Sequence, residues 1–201
     1  MGRSLEYNGG ITREQFLFYE MRVVAKLMVQ GLSRDEIRAK VKEENLFQYP
    51  TEKMILSITG SCIKRIDALE SDSLVYQLAE GDIELAKFIN LYAMMRYNAI
   101  VWDFMVDVIG EKYRTLNRNI TKAEISTFLL NLKEQNEVIA NWSDGTMGKI
   151  RQVLFKLLLE CGFVDSIKSE TINNIYLYPE LEEGIKENGD TVALAAFNHF
   201  E

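Results

Sequence analysis

Apolar residues recur along most of this chain at three- and four-residue intervals, the period of helices with one buried face. Helix-start signals precede these runs. Thr12 with Gln15 reads as a capping box ahead of Phe16, Val23, Val24 and Leu27, and Gly31 is the stop. Ser33 with Glu36 opens a second helix to about Glu44, and Thr51, just after Pro50, opens a third to about Leu69. A short helix over 73–80 closes at Gly81. Asp82 then caps the longest apolar segment, 83–109, which ends at Gly110. Thr121 with Glu124 is another capping box, for a helix to about Ala140, and Ser143 or Asp144 starts one that stops at Gly162. Beyond it, Phe163–Tyr178 carries short apolar runs around a polar middle, the pattern of a small hairpin. Pro179 ends that stretch, and a last short helix follows.

The expected fold is therefore all-α, with at most a small C-terminal β-hairpin. Two packed lobes are expected, 1–113 and 114–201, with the seam at the polar stretch Arg114–Asn119. The segment 83–109 is apolar nearly all round, but Lys87, Arg96, Asp103 and Asp107 interrupt it. It reads as a central helix buried by its neighbours, not as a membrane span. Cys62 and Cys161 both fall inside apolar helical patterns, as buried reduced thiols of a cytoplasmic protein do. The opening MGRSLEYNGG lacks the apolar core of a secretion signal, and Gly2 carries little weight as a lipidation site.

The net charge of -7 opposes nucleic-acid binding only until it is divided along the chain. Residues 1–160 hold 21 Lys+Arg against 22 Asp+Glu, whereas 161–201 hold 2 against 8. The acidity belongs to the C-terminal fifth, and the remainder can carry a basic surface.

Enzyme chemistry lacks its parts. The one histidine, His199, has no Cys or His companion, and Gly9-Gly10 lacks the lysine of a phosphate loop, so no catalytic residue, cofactor or metal is expected. Asp103, Asp107 and Glu111 at i, i+4, i+8 form an acidic stripe, more in keeping with a solvated face than with a metal site.

Two helix pairs have the order of helix-turn-helix elements. In the first, Met54, Ile55, Ile58, Cys62, Ile66 and Leu69 make the core stripe of the second helix. Thr51, Lys53, Ser57, Ser61, Lys64 and Arg65 are left outside it. In the second, Met147, Ile150, Val153, Leu154, Leu157 and Leu158 make the stripe. Thr146, Lys149, Arg151, Gln152 and Lys156 lie off it, and the hairpin that follows gives a winged-helix order. Hydroxyls and cations on an exposed helix suit phosphate and groove contact. Both faces also fit ordinary solvated surface.

The segments QFLFYEMRVVAKLMVQGLS, ENLFQYPTEK, FMVDVIGEKYRTLN, EQNEVIANWSDGTMGKIRQVL and PELEEGIKENGD, with the closing AFNHFE, resemble the BrxA family over about Gly10 to Glu201. That family consists of small proteins encoded in BREX bacteriophage-exclusion operons. The resemblance implies a helical accessory factor of antiviral defence, acting beside other BREX proteins and bringing no catalytic motif. It also implies a nucleic-acid partner, since the family is likened both to double-stranded DNA binders and to the RNA-binding antitermination factor NusB. Double-stranded DNA is the expected partner. A protein-docking subunit using the aromatic loop Leu46–Pro50 and the acidic tail is the alternative, and RNA binding is another.

Overall fold

The computed structural model describes residues 7–200, and these form helices, turns and no β-strand. The N-terminal stretch read for secretion and lipidation signals lies largely outside the described residues. The helices fall into two compact units: residues 16–97 form one, and residues 7–15 with 98–200 form the other. The expected lobes differ from these units, because residues 7–15 and the helical turns of 98–113 group with the C-terminal half.

The first unit holds α1 (Phe18–Val29), α2 (Arg34–Glu43), α3 (Glu52–Asp67), α4 (Asp72–Glu80) and α5 (Ile83–Tyr97). Local chemistry sets most of their ends. The Ser33 hydroxyl accepts from the Glu36 amide, and the Ser33 amide donates to the Glu36 carboxylate at 2.8 Å, which completes the capping box of α2. Thr51 caps α3 and Ser71 caps α4 by accepting from the Met54 and Leu74 amides. The expected helix from Thr12 does not form. Thr12 donates its hydroxyl to the Gly9 carbonyl within a single 3-10 turn, Gly9–Thr12, and α1 starts only at Phe18, after Leu17 in the left-handed region at φ 50°.

The α5 helix is buried on every side from Phe88 to Arg96. Its charges are satisfied within the unit. Arg96 donates to the Ala68 carbonyl, to the Tyr92 hydroxyl at 3.0 Å and to the Glu70 carboxylate at 2.8 Å. A buried guanidinium with three acceptors avoids most of the desolvation penalty of a lone charge. Among the described residues no helix is long and apolar enough to cross a membrane.

The long helix expected over 83–109 is broken at Asn98. That residue is extended at φ -137°, its side-chain oxygen accepts from the Ile100 amide, and its amide nitrogen donates to the Asn8 backbone and side chain. An asparagine that competes for backbone partners favours a cap over a helix interior.

The second unit then builds α6 (Ala99–Asp103), a π-helical stretch (Phe104–Gly110), α7 (Glu111–Arg114), α8 (Lys122–Gln135), α9 (Glu137–Ala140), α10 (Asp144–Glu160) and α11 (Pro179–Glu187), closed by a 3-10 segment Thr191–Phe197. Thr121 and Glu124 form the expected capping box of α8, and Ser143 caps α10. The π-helical stretch packs against Thr191–Phe197. A Cβ added at Gly110 would lie 3.0 Å from the Ala195 Cβ, which explains a glycine inside a buried helical turn.

The C-terminal hairpin is absent. The backbone of 163–178 forms no ladder: Ile172 donates to the Arg118 carbonyl, Thr171 makes one isolated antiparallel bridge with Asn119, and within the stretch Asn173 donates to the Phe163 carbonyl. Ile172 and Leu177 are buried, so the short apolar runs anchor a loop. Without a hairpin, α10 is not followed by a wing. Cys62 and Cys161 are both buried and form no disulfide, as their helical settings imply.

Candidate nucleic-acid interface

The α3 helix packs against α1, α2 and α5, and these three neighbours cover more than half of its circumference. The buried arc is therefore wider than a two-helix stripe and is turned from the expected one. Ser61 (7% exposed) and Arg65 (1%) lie inside it, and Ser61 donates its hydroxyl to the Ser57 carbonyl. Both were expected on the outer face, and neither belongs to it. Met54, expected in the core, is 43% exposed. What remains outside is Thr51 at the cap, then Lys53, Ser57 and Lys64, with Gly60 between the last two. Lys53, Ser57, Gly60 and Lys64 follow i, i+4, i+7, i+11 spacing, which lines them up along one ridge. Asp67 at the end of that ridge is held by Arg34 at 2.7 Å.

The α10 helix presents a cleaner arrangement. It is flanked by α8 on one side and by the Gly9–Thr12 turn on the other. Ile150, Val153, Leu154, Leu157 and Leu158 are buried as expected, joined by Phe155, whereas Met147 is half-buried. On the α8 side, Arg151 is half-buried and donates to the Ser126 hydroxyl at 3.0 Å. Thr146 is likewise half-buried, 3.0 Å from the capping hydroxyl of Ser143. Gly145, Lys149, Gln152 and Lys156 are exposed. They repeat the i, i+4, i+7, i+11 spacing and fall within about 60° of the helix circumference. No carboxylate interrupts this ridge. Lys156 reaches Gln15 at 3.2 Å, and Arg13 is exposed beside it in the chain.

The electrostatics around α8 add to the picture. Lys122 is exposed, with its ammonium 5.5 Å from the centre of the buried Phe155 ring. Lys112 is buried, bonded to the Asn119 carbonyl and 2.6 Å from the Glu124 carboxylate, so it is committed to the fold and unavailable to a ligand.

Of the acidic stripe, Asp103 and Asp107 remain neighbours across the i→i+5 turns of the π-helical stretch. Asp103 accepts from the Tyr7 hydroxyl at 2.5 Å. Burial pushes the carboxyls of Asp103 and Asp107 upward, and for Asp103 the neighbouring Asp107 charge adds to it. Among the described residues no group of three or more His, Cys, Asp or Glu is placed to hold a metal ion. His199 sits 3.4 Å from Glu182.

The aromatic loop considered as a docking element is largely built into the first unit. Phe47 is 4% exposed, and Tyr49 is half-buried with its hydroxyl donating to Glu20 at 2.5 Å.

The sequence missed one site feature, the glycines of the ridges. Gly60 and Gly145 sit in helical backbone, and an added Cβ would meet nothing within 4 Å at the first and only the Ser143 hydroxyl, at 3.7 Å, at the second. Their signal was a glycine inside a helical pattern with no stop after it.

Known proteins resemble this chain along nearly its full length. A BREX protein BrxA of Bacillus cereus (strain H3081.97) is 32% identical over 187 residues, covering 92% of this chain and 93% of that protein. A BREX protein BrxA of Escherichia coli O9:H4 (strain HS) is 22% identical, covering 85% of this chain and 79% of that protein. The crystal structure of an uncharacterized protein from Magnetospirillum magneticum superposes with a TM-score of 0.80 at 19% identity, covering 95% of this chain and 97% of that one, which identifies a shared fold. The BrxA family model matches residues 5–189. On these grounds the chain belongs to the BrxA family.

Proposed function

We propose that this chain is a non-enzymatic, double-stranded-DNA-binding accessory component of a BREX antiviral defence system. The observation that carries the reading is the α10 ridge, Gly145–Lys149–Gln152–Lys156, exposed along its length and free of carboxylates. Ion-paired solvated faces in this protein look different: α2 pairs Arg38 with Asp35 and Lys40 with Glu44 along its surface. Cations without such partners favour an external polyanion, and phosphates dominate the affinity of proteins for DNA. The α3 ridge supplies Thr51, Lys53, Ser57 and Lys64 as a second group of hydroxyl and ammonium donors. The protein's part is to hold duplex DNA for other BREX proteins, which carry out the chemistry.

Two other readings are less well supported. RNA recognition favours exposed aromatic platforms, and the α10 ridge has none. Docking through Leu46–Pro50 is weakened by the burial of Phe47 and the Tyr49–Glu20 bond.

The test is polarisation binding of duplex DNA, single strands and duplex RNA at several salt concentrations. The combined variant Lys149→Ala, Lys156→Ala is compared with the parent. Each lost phosphate contact lowers the slope of log affinity against log salt by about 0.9, so the double variant should lose nearly two units. A double variant that binds duplex DNA like the parent, with the same slope, would rule out this surface.

A further inference from the structure

Resting on the DNA reading, we propose that Gln152 is the residue that reads sequence. In this arrangement Lys149 and Lys156 hold phosphates on the two rims of the major groove, and the Gln152 amide meets an adenine edge on its floor.

The argument starts from position. Lys149, Gln152 and Lys156 lie on one ridge, with the amide between the ammonium groups. The two lysines are seven residues apart, about 10.5 Å along the helix axis. The major groove is about 12 Å wide and admits a helix, with phosphates at both rims and base edges between them. A helix laid across it therefore brings the ends of this ridge to the rims and the middle to the bases.

Chemistry then separates the three side chains. An ammonium only donates, which suits phosphate oxygens. A carboxamide donates and accepts side by side, which matches the N6 donor and N7 acceptor of adenine; guanine offers two acceptors there. The neighbouring polar side chains off the ridge are already engaged, Thr146 with Ser143 and Arg151 with Ser126. The Gln152 amide has no partner among the described residues, and its side chain is exposed.

The backbone is consistent with close approach. Gly145 and Gly148 stand in helical conformation without positive φ, and packing excludes a side chain at neither. Gly148, inside the helix, weakens it by about 1 kcal/mol relative to alanine, so the fold alone gives no reason for it. At Gly145 the N-terminal end of the ridge is bare, which lets the backbone there come close to one rim.

The α3 ridge supplies an internal contrast. It has the same spacing, but glycine stands where α10 has glutamine, and Ser57 is its central polar group. Contacts from α3 would therefore be indifferent to sequence.

The experiment uses the full chain and three duplexes of equal length: alternating A·T, G·C only, and the A·T duplex with 7-deazaadenine in place of adenine. The deaza base removes N7 while leaving the minor groove as it was, so a preference for A·T shape is separated from contact at the base edge. The parent should bind the A·T duplex roughly fivefold or more tighter than the other two. Gln152→Ala should bring all three affinities together with the salt slope unchanged, whereas Ser57→Ala should keep the parent's ratios. Equal ratios for parent and Gln152→Ala, with duplex binding intact, would overturn the role of Gln152 and leave the DNA reading standing. Failure of the parent to bind any duplex would overturn both.

Discussion

The ammonium of Lys112 lies 2.6 Å from the carboxylate of Glu124, and the same group is bonded to the main-chain carbonyl of Asn119. One buried cation thus ties α7 to the connection before α8 and to the capping box of α8 itself. Burial alone would raise the Glu124 carboxyl, but Lys112 and the Thr121 backbone and hydroxyl hold it below its ordinary value of 4.5. Replacing Glu124 by Gln should lower stability by roughly 1–3 kcal/mol, because the Lys112 charge loses its counter-ion in a dry site. A carboxyl held low stabilises the fold above its unfolded pKa, and that contribution disappears as pH falls through the folded value. The stability gap between parent and Glu124→Gln should therefore be full at pH 7 and closed at an acid pH below the depressed folded value, well under 4.5. Denaturant titrations at both pH values measure it.

The sign reverses at Asp103 and Asp107. Both carboxyls are pushed up from 3.8, so each costs stability once pH has risen through its folded value. Asp107→Asn removes one such group and the repulsion it exerts on Asp103. The variant should melt above the parent at pH 7 and coincide with it near pH 3. A variant that melts below the parent at pH 7 would contradict this account.

Arg65 and Lys64 are neighbours in sequence with opposite fates. Arg65→Ala should destabilise the first unit by about 2–3 kcal/mol, since it empties a fully buried site on α3. Lys64→Ala should leave the melting temperature within experimental error and act only on binding. Thermal denaturation of the two single variants separates them.

Gly110→Ala should also destabilise. The new Cβ would lie 3.0 Å from the Ala195 Cβ and 3.3 Å from the Ala195 carbonyl carbon, both in buried segments with little room to yield. Overpacking of this kind costs about 1–3 kcal/mol. The paired change Gly110→Ala with Ala195→Gly should recover much of the loss, which a double-mutant cycle by calorimetry would reveal.

Much of this fold is legible in the sequence wherever the signal is local. The Ser33–Glu36 and Thr121–Glu124 boxes form because a hydroxyl and a carboxylate three residues apart need only each other. The Thr12–Gln15 pair has the same spelling and fails, because Thr12 bonds backwards to Gly9. Periodicity located the α10 ridge, since α10 is packed along a face of ordinary width. It misplaced Ser61 and Arg65, because the extent of a buried arc depends on how many neighbours a helix acquires. The break at Asn98 was hidden by its apolar surroundings, although an asparagine ahead of Ala99 and Ile100 is itself a helix-start signal.

The π-helical stretch Phe104–Gly110 bears on how the length of this chain can vary over time. A wide turn is in effect an α-helix that has absorbed one extra residue. Elsewhere in a packed helix, losing a residue swings everything downstream by about 100° and takes each apolar side chain away from its partner. Here the loss of one residue would tighten the wide turn into an ordinary one and leave the flanking segments in phase. Single-residue gaps should therefore gather at 104–110 when relatives are aligned, inside a helical segment rather than in the loops where such changes usually collect.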